Sequence, residues 1–184
     1  MSIIVPVYNE VQTVSIVLDK LKNLKLYQNF TIQLIIVDDN SNDGTKDLLK
    51  KLEKDENFKN DTFIFKEKNL GKGDSQKIAI PLCEGDFTII QDADLEYNIS
   101  NINFLLKLVI EENYDAVLGF RRLTNTKIYS AYFIFHKIAV LSLTILTNIL
   151  YFTKFKDVCT CYRLIKTSLL KELRINGERF EYDF

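Results

Sequence analysis

The chain has 184 residues, of which 47% are hydrophobic and 27% charged, and this is typical of one ordinary globular domain. Lys and Arg number 24 and Asp and Glu 25, which gives a formal net charge of -1. This balance excludes an overall basic field that would gather nucleic acid, so any anionic ligand must be bound locally.

Strand and helix patterns alternate through residue 119. Short runs rich in β-branched and aromatic residues predict five strands, at 2–7, 31–37, 62–65, 87–91 and 116–119. Apolar residues at helical spacing predict four helices between them, at 14–24, 47–53, 76–82 and 101–112, the third disturbed by Pro81. Because parallel neighbours need crossovers, this order predicts an α/β fold with a mostly parallel sheet covered by helices on both faces.

A long apolar segment follows, at 128–152, in which only His136 and Lys137 can carry charge. Its uncharged part is shorter than a bilayer span and contains several hydroxyl and amide side chains, which favours an amphipathic or interfacial helix over a transmembrane one. A buried core helix is the alternative. A turn and a short helix at 165–173 come next, and the last stretch looks unfinished, so we expect the chain to be a fragment of a longer protein.

The compartment is predicted from the cysteines and the N-terminus. Cys83, Cys159 and Cys161 are an odd number that fits no disulfide framework and indicates a reducing environment. The C-x-C pair could be half of a zinc site, but one His and no second cysteine pair disfavour zinc. The N-terminus has no basic region before its short apolar run, so it does not resemble a secretory signal, and we expect a cytoplasmic location.

Polar motifs follow each predicted strand of the sheet. In an open α/β sheet ligands bind beyond the carboxyl ends of the strands, where the loops diverge. In chain order these ends carry the stretches PVYNE, DDNSNDGT, NLGKGDS, DADLEY and FRR. Four of the five contain acids, and two contain lysine or arginine, which predicts a charged crevice at this edge.

The fourth motif places Asp92, Asp94 and Glu96 within five positions. Alternation along an extended chain would turn the first two carboxylates to one side. Hard oxygen ligands this close suit Mg²⁺ or Mn²⁺, which bridges to phosphate oxygens with only one or two protein carboxylates. The motif therefore predicts a metal site for a diphosphate-bearing substrate; a solvated strand end followed by a helix cap is the alternative.

The second motif is dominated by residues that cap helices. Asp38, Asn40, Ser41 and Asp43 would satisfy amides of the following helix. Asp39 is harder to explain in this way, because an adjacent carboxylate repels its neighbour unless it has a donor partner. The N–H groups of a nucleobase or a ribose hydroxyl would be such donors.

Two basic motifs are ambiguous on their own. Gly71 and Gly73 could be turn residues with Lys72 in solvent, and the spacing lacks the P-loop pattern of an ATPase. Arg121 and Arg122 could be surface charges, or a guanidinium fork that holds phosphate oxygens beside a metal.

Six stretches together resemble family 2 glycosyltransferases of the GT-A fold, and within them the polyprenyl-phosphate group that includes enzymes like dolichol-phosphate mannose synthase. In order they are SIIVPVYNE, IIVDDNSNDGT, NLGKG, EGDFTIIQDADLEY, VLGFRR and KDVCTCYRLIK. Each is loose alone, but six in the right order span residues 2–166. The resemblance implies one catalytic domain over 1–184, with a nucleotide-sugar-binding part at 1–120 and an acceptor- and membrane-facing part at 121–184.

The resemblance also implies roles for individual residues. The nucleotide-sugar would be bound by residues from five of these stretches, namely Pro6, Tyr8, Glu10, Asp39, Lys72, Asp92 and Arg163. The metal, Mg²⁺ or Mn²⁺, would be held by Asp92, Asp94 and Glu96, the last in a position where many relatives carry glutamine. The catalytic set would be Asp94, Arg121 near the donor phosphates, and Asp157 near the acceptor phosphate; an N-cap is the alternative for Asp157.

The implied activity is an inverting sugar transfer from GDP-mannose or a UDP-hexose to a polyprenyl phosphate at the cytoplasmic face of the membrane, by a protein peripheral to or anchored there. Two alternatives are a transferase that acts on a polysaccharide or another non-lipid acceptor, and a noncatalytic nucleotide-sugar-binding module. Pro81 and the GFRR stretch depart from the usual pattern, and relatives carry a further acid just beyond residue 184. The oligomeric state is left open.

Overall fold

The computed structural model describes residues 1–120 and 131–173. Its strands are β1 (Ser2–Val7), β2 (Gln33–Asp38), β3 (Thr62–Phe65), β4 (Phe87–Ile90), β5 (Ala116–Leu118) and β6 (Arg163–Lys166). Its helices are α1 (Val14–Lys22), α2 (Thr45–Leu52), α3 (Lys72–Ala79), α4 (Asn101–Glu111), α5 (Ala131–Tyr151) and α6 (Thr167–Glu172). These bounds confirm the five predicted strands and the alternation of strands and helices.

The strands form one sheet in the order β3-β2-β1-β4-β6-β5. β1 lies parallel to both β2 and β4, and β2 lies parallel to β3. β6 lies between β4 and β5 and is antiparallel to both. The sheet is therefore mostly parallel, as predicted, with one reversed strand inserted near one end.

The sequence interpretation of residues 163–166 was wrong. It placed a turn there and began a helix at Ile165, whereas Ile165 pairs with Thr88 in β4 and with Ala116 in β5. The helix begins only at Thr167, whose hydroxyl is hydrogen bonded to that of Thr88 at 2.8 Å. The segment is a strand because it hydrogen bonds to β4 on one side and to β5 on the other. Both partners are distant in sequence, so four residues alone do not predict the pairing.

Helix α3 begins at Lys72, four residues earlier than predicted. Gly71 precedes it with a φ of 96°, a left-handed conformation that glycine adopts without steric cost. Pro81 lies in a single 3₁₀ turn, Ile80–Leu82, that continues from the end of α3. The proline therefore ends the α-helix rather than bending it.

The core lies on both faces of the sheet, as the prediction of a doubly covered sheet requires. Alternate residues of the central strands face α1 and α4 on one side, among them Ile3, Val5 and Ile36. The intervening residues, such as Ile4 and Ile35, face the layer of α3 and α6. Since side chains alternate along a strand, the same alternation determines on which face of the sheet the residues after each strand lie.

Among the described side chains of α5, most apolar ones are exposed and the one that is buried is polar. Thr144 is 5% exposed and accepts a hydrogen bond from the Val158 amide. The side-chain amide of Asn148 donates to the Phe155 carbonyl and accepts from the Phe155 amide. Apolar residues on the remaining surface are exposed, as Ile149 is at 65%. In the described ranges, no helix combines the length and the apolar character needed to cross a bilayer.

Candidate active site

The carboxyl ends of β1, β2, β3 and β4 meet at one edge of the sheet because these strands are parallel. The reversed strand β6 begins at the same edge, so the turn before it also reaches this place. The polar motifs after the first four strands and the DVCTCYR motif are thus brought to one edge. The motif after β5 continues into residues 121–130, so Arg121 and Arg122 lie outside the described residues.

The motif after β4 places two carboxylates at this rim of the sheet. Ala93 is buried, whereas Asp92 is half-buried and Asp94 is exposed. Asp92 forms an ion pair of 2.6 Å with Lys72, whose side chain is 18% exposed. Asp94 accepts a hydrogen bond of 3.0 Å from the Glu96 amide. Lys72 is therefore held against the carboxylate motif instead of extending into solvent.

The donor set at this rim fits a substrate-bridged metal ion rather than a closed protein cage. Across the described part of the chain, no group of three or more His, Cys, Asp or Glu side chains is arranged to hold a metal. Mg²⁺ and Mn²⁺ need only one or two carboxylates when phosphate oxygens and water complete their shell. Asp92 and Asp94 are two such carboxylates, and metal binding by them and by the exposed Glu96 stays a prediction.

Asp39 is the centre of a buried ionic network. Its Oδ1 lies 2.5 Å from the Lys66 ammonium and accepts the Leu70 amide at 3.0 Å, and its Oδ2 accepts the Gly71 amide at 2.8 Å. Lys66 also lies 2.6 Å from the Asp74 carboxylate in the first turn of α3. The side chains of Asp39 and Lys66 are only 5% and 6% exposed. The hydrogen-bond donors that we expected for the Asp39 carboxylate thus include the Leu70 and Gly71 amides of the protein itself.

The motif after β1 combines an exposed ring with a helix cap. Tyr8 is 46% exposed at the strand end. The carboxylate of Glu10 accepts the Thr13 hydroxyl at 2.5 Å, and its carbonyl accepts the Thr13 and Val14 amides at the start of α1. Pro6 is half-buried on the sheet face covered by α3. Their contact with a nucleotide-sugar stays a prediction.

The second motif satisfies an amide of the following helix, as predicted, although Gly44 and not Asp43 is the N-cap residue. Asp43 accepts hydrogen bonds from both the amide and the hydroxyl of Thr45 at the start of α2. Although desolvation acts to raise it, these hydrogen bonds hold the pKa of Asp43 below its ordinary value.

The DVCTCYR motif is shaped by its own charged residues. Asp157 accepts the Cys159 amide at 3.1 Å. The Arg163 guanidinium donates to the carbonyl of Thr160 at 2.8 Å and to that of Val158 at 3.3 Å. Both side chains thus define the turn, and their predicted roles toward acceptor phosphate and nucleotide-sugar stay predictions.

A pair of tyrosines joins this turn to the loop after β4. The rings of Tyr97 and Tyr162 stack with centroids 4.8 Å apart and planes 7° apart. The Tyr162 hydroxyl donates to Gln91 Oε1 at 3.1 Å, and the Cys161 amide donates to the Tyr97 hydroxyl at 3.3 Å. Burial, and secondarily the neighbouring Tyr97, raises the pKa of Tyr162, which therefore stays a neutral donor.

Sequence reasoning missed the residues that support this site, namely Lys66, Asp74, Gln91, Tyr97 and Tyr162. A signal existed for Lys66, because it follows Ile64 by two positions and must emerge on the same sheet face. The partners of the tyrosines come from distant segments and leave no comparable local pattern.

The fold defines the class: it is the GT-A fold of glycosyltransferases. The same fold occurs in glucosyl-3-phosphoglycerate synthase from Mycobacterium tuberculosis, solved with Mn²⁺, UDP and phosphoglyceric acid, at a TM-score of 0.68 and 19% identity. That comparison covers 98% of this chain and 61% of the other. The chain belongs to glycosyl transferase family 2, whose family model matches residues 2–174.

Two protein relatives give a finer comparison. An uncharacterised protein of Methanocaldococcus jannaschii is 29% identical over 175 residues, which cover 93% of this chain and 73% of that protein. An undecaprenyl-phosphate 4-deoxy-4-formamido-L-arabinose transferase of Pseudomonas syringae is 30% identical over 118 residues, or 63% of this chain. The matched region is only 34% of that transferase. The family resemblance is thus confirmed, with a polyprenyl-phosphate sugar transferase among the relatives.

Proposed function

We propose that this protein transfers a sugar, with inversion, from a nucleotide-sugar to a polyprenyl phosphate at the cytoplasmic face of a membrane. The observation that carries the proposal is the tyrosine stack, which fixes the Asp157 turn against the loop of Asp92 and Asp94. The residues assigned to the nucleotide-sugar and the residue assigned to the acceptor phosphate therefore lie at the same edge of the sheet. The undecaprenyl-phosphate transferase among the relatives supports the choice of acceptor.

The chain's own residues divide the work at this edge. Mg²⁺ or Mn²⁺, when bound by Asp92 and Asp94, would neutralise charge that develops on the departing nucleoside diphosphate. Lys72, already paired with Asp92, adds a positive charge at the same place, and Arg121 is assigned to the donor phosphates. A phosphate acceptor is an anion at neutral pH, so no strong base is needed and Asp157 would orient it.

A turnover screen tests this function. The full-length protein is incubated with Mn²⁺, a panel of nucleotide-sugars and a short-chain prenyl phosphate, and released nucleoside diphosphate is measured. We expect release that depends on both the metal and the prenyl phosphate. Release stimulated instead by an oligosaccharide would identify a non-lipid acceptor, and binding of donors without any release would identify a noncatalytic module; either result would overturn the proposal.

We also propose that α5 lies in the interfacial region of a membrane. Thr144 is the buried side chain among those described in α5, and the exposed apolar surface is the side that a lipid environment would cover. Lys154 and Lys156 follow the helix, where they would meet anionic head groups. The aqueous exposure of side chains such as Leu146 and Ile149, at 53% and 65%, is otherwise unfavourable.

Vesicle binding tests this placement. The double variant Leu146→Glu with Ile149→Glu is expected to lose binding to anionic phospholipid vesicles by about tenfold or more, since two charges would enter the apolar region. Ile16→Glu, at a position 44% exposed on α1, serves as the matched control and should bind like the unchanged protein. Equal sedimentation of all three proteins with vesicles would contradict the placement of α5.

A further inference from the structure

We infer that Lys72 occupies the place of the metal ion on Asp92 while no donor is bound, so that a divalent ion binds well only together with the donor diphosphate. This inference rests on the proposed function, because it assumes that Asp92 binds the metal of a nucleotide-sugar. It concerns a step that precedes sugar transfer, namely the binding of the metal and of the donor.

The ion pair between Lys72 and Asp92 puts a positive charge on one of the two carboxylates assigned to the metal. The Lys72 ammonium lies 2.6 Å from Asp92 Oδ1, and each side chain is 18% exposed. Mg²⁺ binds a carboxylate oxygen at about 2.1 Å, so an ammonium and a metal on this same oxygen would lie within about 5 Å of each other. Like charges this close repel strongly where water is partly excluded. A divalent ion that arrives alone must therefore displace the ammonium or bind weakly.

The backbone that carries Lys72 is held on both sides of the residue. Before it, the Gly71 amide donates to Asp39 Oδ2 at 2.8 Å. After it, Asp74 in the first turn of α3 pairs with Lys66 at 2.6 Å, and Lys66 also pairs with Asp39. Because the start of α3 is fixed in this way, the ammonium can leave Asp92 by a change in the Lys72 side chain alone. Lys72 can thus exchange one anionic partner for another without a rearrangement of the fold.

The second carboxylate assigned to the metal does not replace Asp92. Asp94 is exposed and accepts a hydrogen bond from the Glu96 amide. One exposed carboxylate binds Mg²⁺ or Mn²⁺ weakly, because these ions give up their water reluctantly and rely on phosphate oxygens to complete their shell. Metal binding therefore depends on whether Lys72 releases Asp92.

A donor diphosphate removes the conflict between the two cations. Its oxygens give the Lys72 ammonium a new anionic partner and supply further ligands to a metal held by Asp92. The metal then strengthens the binding of the diphosphate, and the diphosphate strengthens the binding of the metal by the same factor. Lys72 thereby links metal binding to donor binding.

Binding of Mn²⁺ alone to the full-length protein, measured by electron paramagnetic resonance of free Mn²⁺, tests the inference without nucleotide or acceptor. Lys72→Met is expected to bind Mn²⁺ about tenfold more tightly than the unchanged protein, since Asp92 loses its competing cation. Lys72→Gln, which keeps a hydrogen-bond donor but no charge, should do the same. Lys72→Arg keeps the charge and should bind Mn²⁺ within about threefold of the unchanged protein.

Lys46→Met is the matched control for the loss of a positive charge at this edge of the sheet. The Lys46 ammonium donates to Asn40 Oδ1 and to the Lys66 carbonyl, both at 3.3 Å. These partners are uncharged oxygens outside the carboxylate motif, so its removal should change the Mn²⁺ affinity by less than about twofold. Thermal melting of each variant checks that it is folded.

Titrations of UDP and GDP with and without Mn²⁺ measure the link to the donor on the same proteins. Mn²⁺ should strengthen nucleotide binding to the unchanged protein by at least about tenfold, and this factor should be about tenfold smaller in Lys72→Met. A factor that Lys72→Met leaves unchanged would overturn the link between metal and donor.

The outcomes separate the role of Lys72 from the proposed function. Mn²⁺ binding by Lys72→Met and Lys72→Gln that is no tighter than that of the unchanged protein overturns the inference and leaves the transferase function standing. An equal gain in Lys46→Met shows a general effect of charge and also overturns the inference. Tighter Mn²⁺ binding by both Lys72 variants, with no sugar transferred to any acceptor by the unchanged protein, supports the place of Lys72 and overturns the function. Absence of Mn²⁺ binding in all of these proteins, with or without nucleotide, overturns both.

Discussion

Asp94→Ala is expected to lower the rate of sugar transfer by about 100- to 1,000-fold, the size of effect produced by removing one group that stabilises charge in a transition state. Asp94 is exposed at the rim, and its only described contact is the hydrogen bond from the Glu96 amide. Its loss should therefore spare the fold. The charge that it would contribute to holding a divalent ion cannot be replaced by alanine.

The control for this variant is Asp115→Ala. Asp115 is 72% exposed, lies at the amino end of β5 on the opposite edge of the sheet, and forms a surface ion pair of 3.6 Å with Lys166. Steady-state release of nucleoside diphosphate at several Mn²⁺ concentrations, together with thermal melting, measures both proteins. An Asp94→Ala protein as active as the control would remove the central support for the carboxylate motif.

Tyr162→Ala is expected to lower the free energy of unfolding by about 3–5 kcal/mol, the usual cost of deleting a buried aromatic side chain. Tyr162 is 3% exposed and loses its stack with Tyr97 as well as its hydrogen bond to Gln91. Because this residue fixes the Asp157 turn, we also expect the acceptor KM to rise more than the donor KM.

Tyr162→Phe is the matched variant for this prediction. It keeps the ring stack and removes only the hydroxyl, so it should cost about 1–2 kcal/mol, mainly because Gln91 Oε1 is left without its donor. Urea unfolding of both variants gives the free energies, and donor and acceptor titrations give the two KM values. A Tyr162→Ala protein within about 0.5 kcal/mol of the unchanged one would contradict the proposed role of the stack.

The part of the fold that depends on local pattern could be predicted from the sequence. Apolar runs located β1 to β5, and their alternation with helices predicted a mostly parallel sheet. β6 was not predicted because Ile165, Leu169 and Leu173 recur at helical spacing, and only the pairing of Ile165 with Thr88 and Ala116 decides between strand and helix. A short segment whose state is fixed by distant neighbours carries too little information of its own.

The same distinction holds for the candidate site. Carboxylates at strand ends could be predicted because the ends of parallel strands share an edge, and Asp92 and Asp94 lie there. The ion pair of Lys72 with Asp92 could not be predicted from the sequence, because the start of α3 depends on the contact between Asp39 and Gly71. Two residues that are far apart in sequence decide where this lysine points.

The insertion of β6 between β4 and β5 has a consequence for biosynthesis. β4 leaves the ribosome well before β6, since α4, β5 and α5 are made in between. Until Arg163–Lys166 emerges, the nascent chain carries β4 with an open hydrogen-bonding edge and β5 without the strand that pairs with it. Open strand edges invite pairing with other chains. Release of a chain that stops short of β6 would therefore favour aggregation over a smaller folded product.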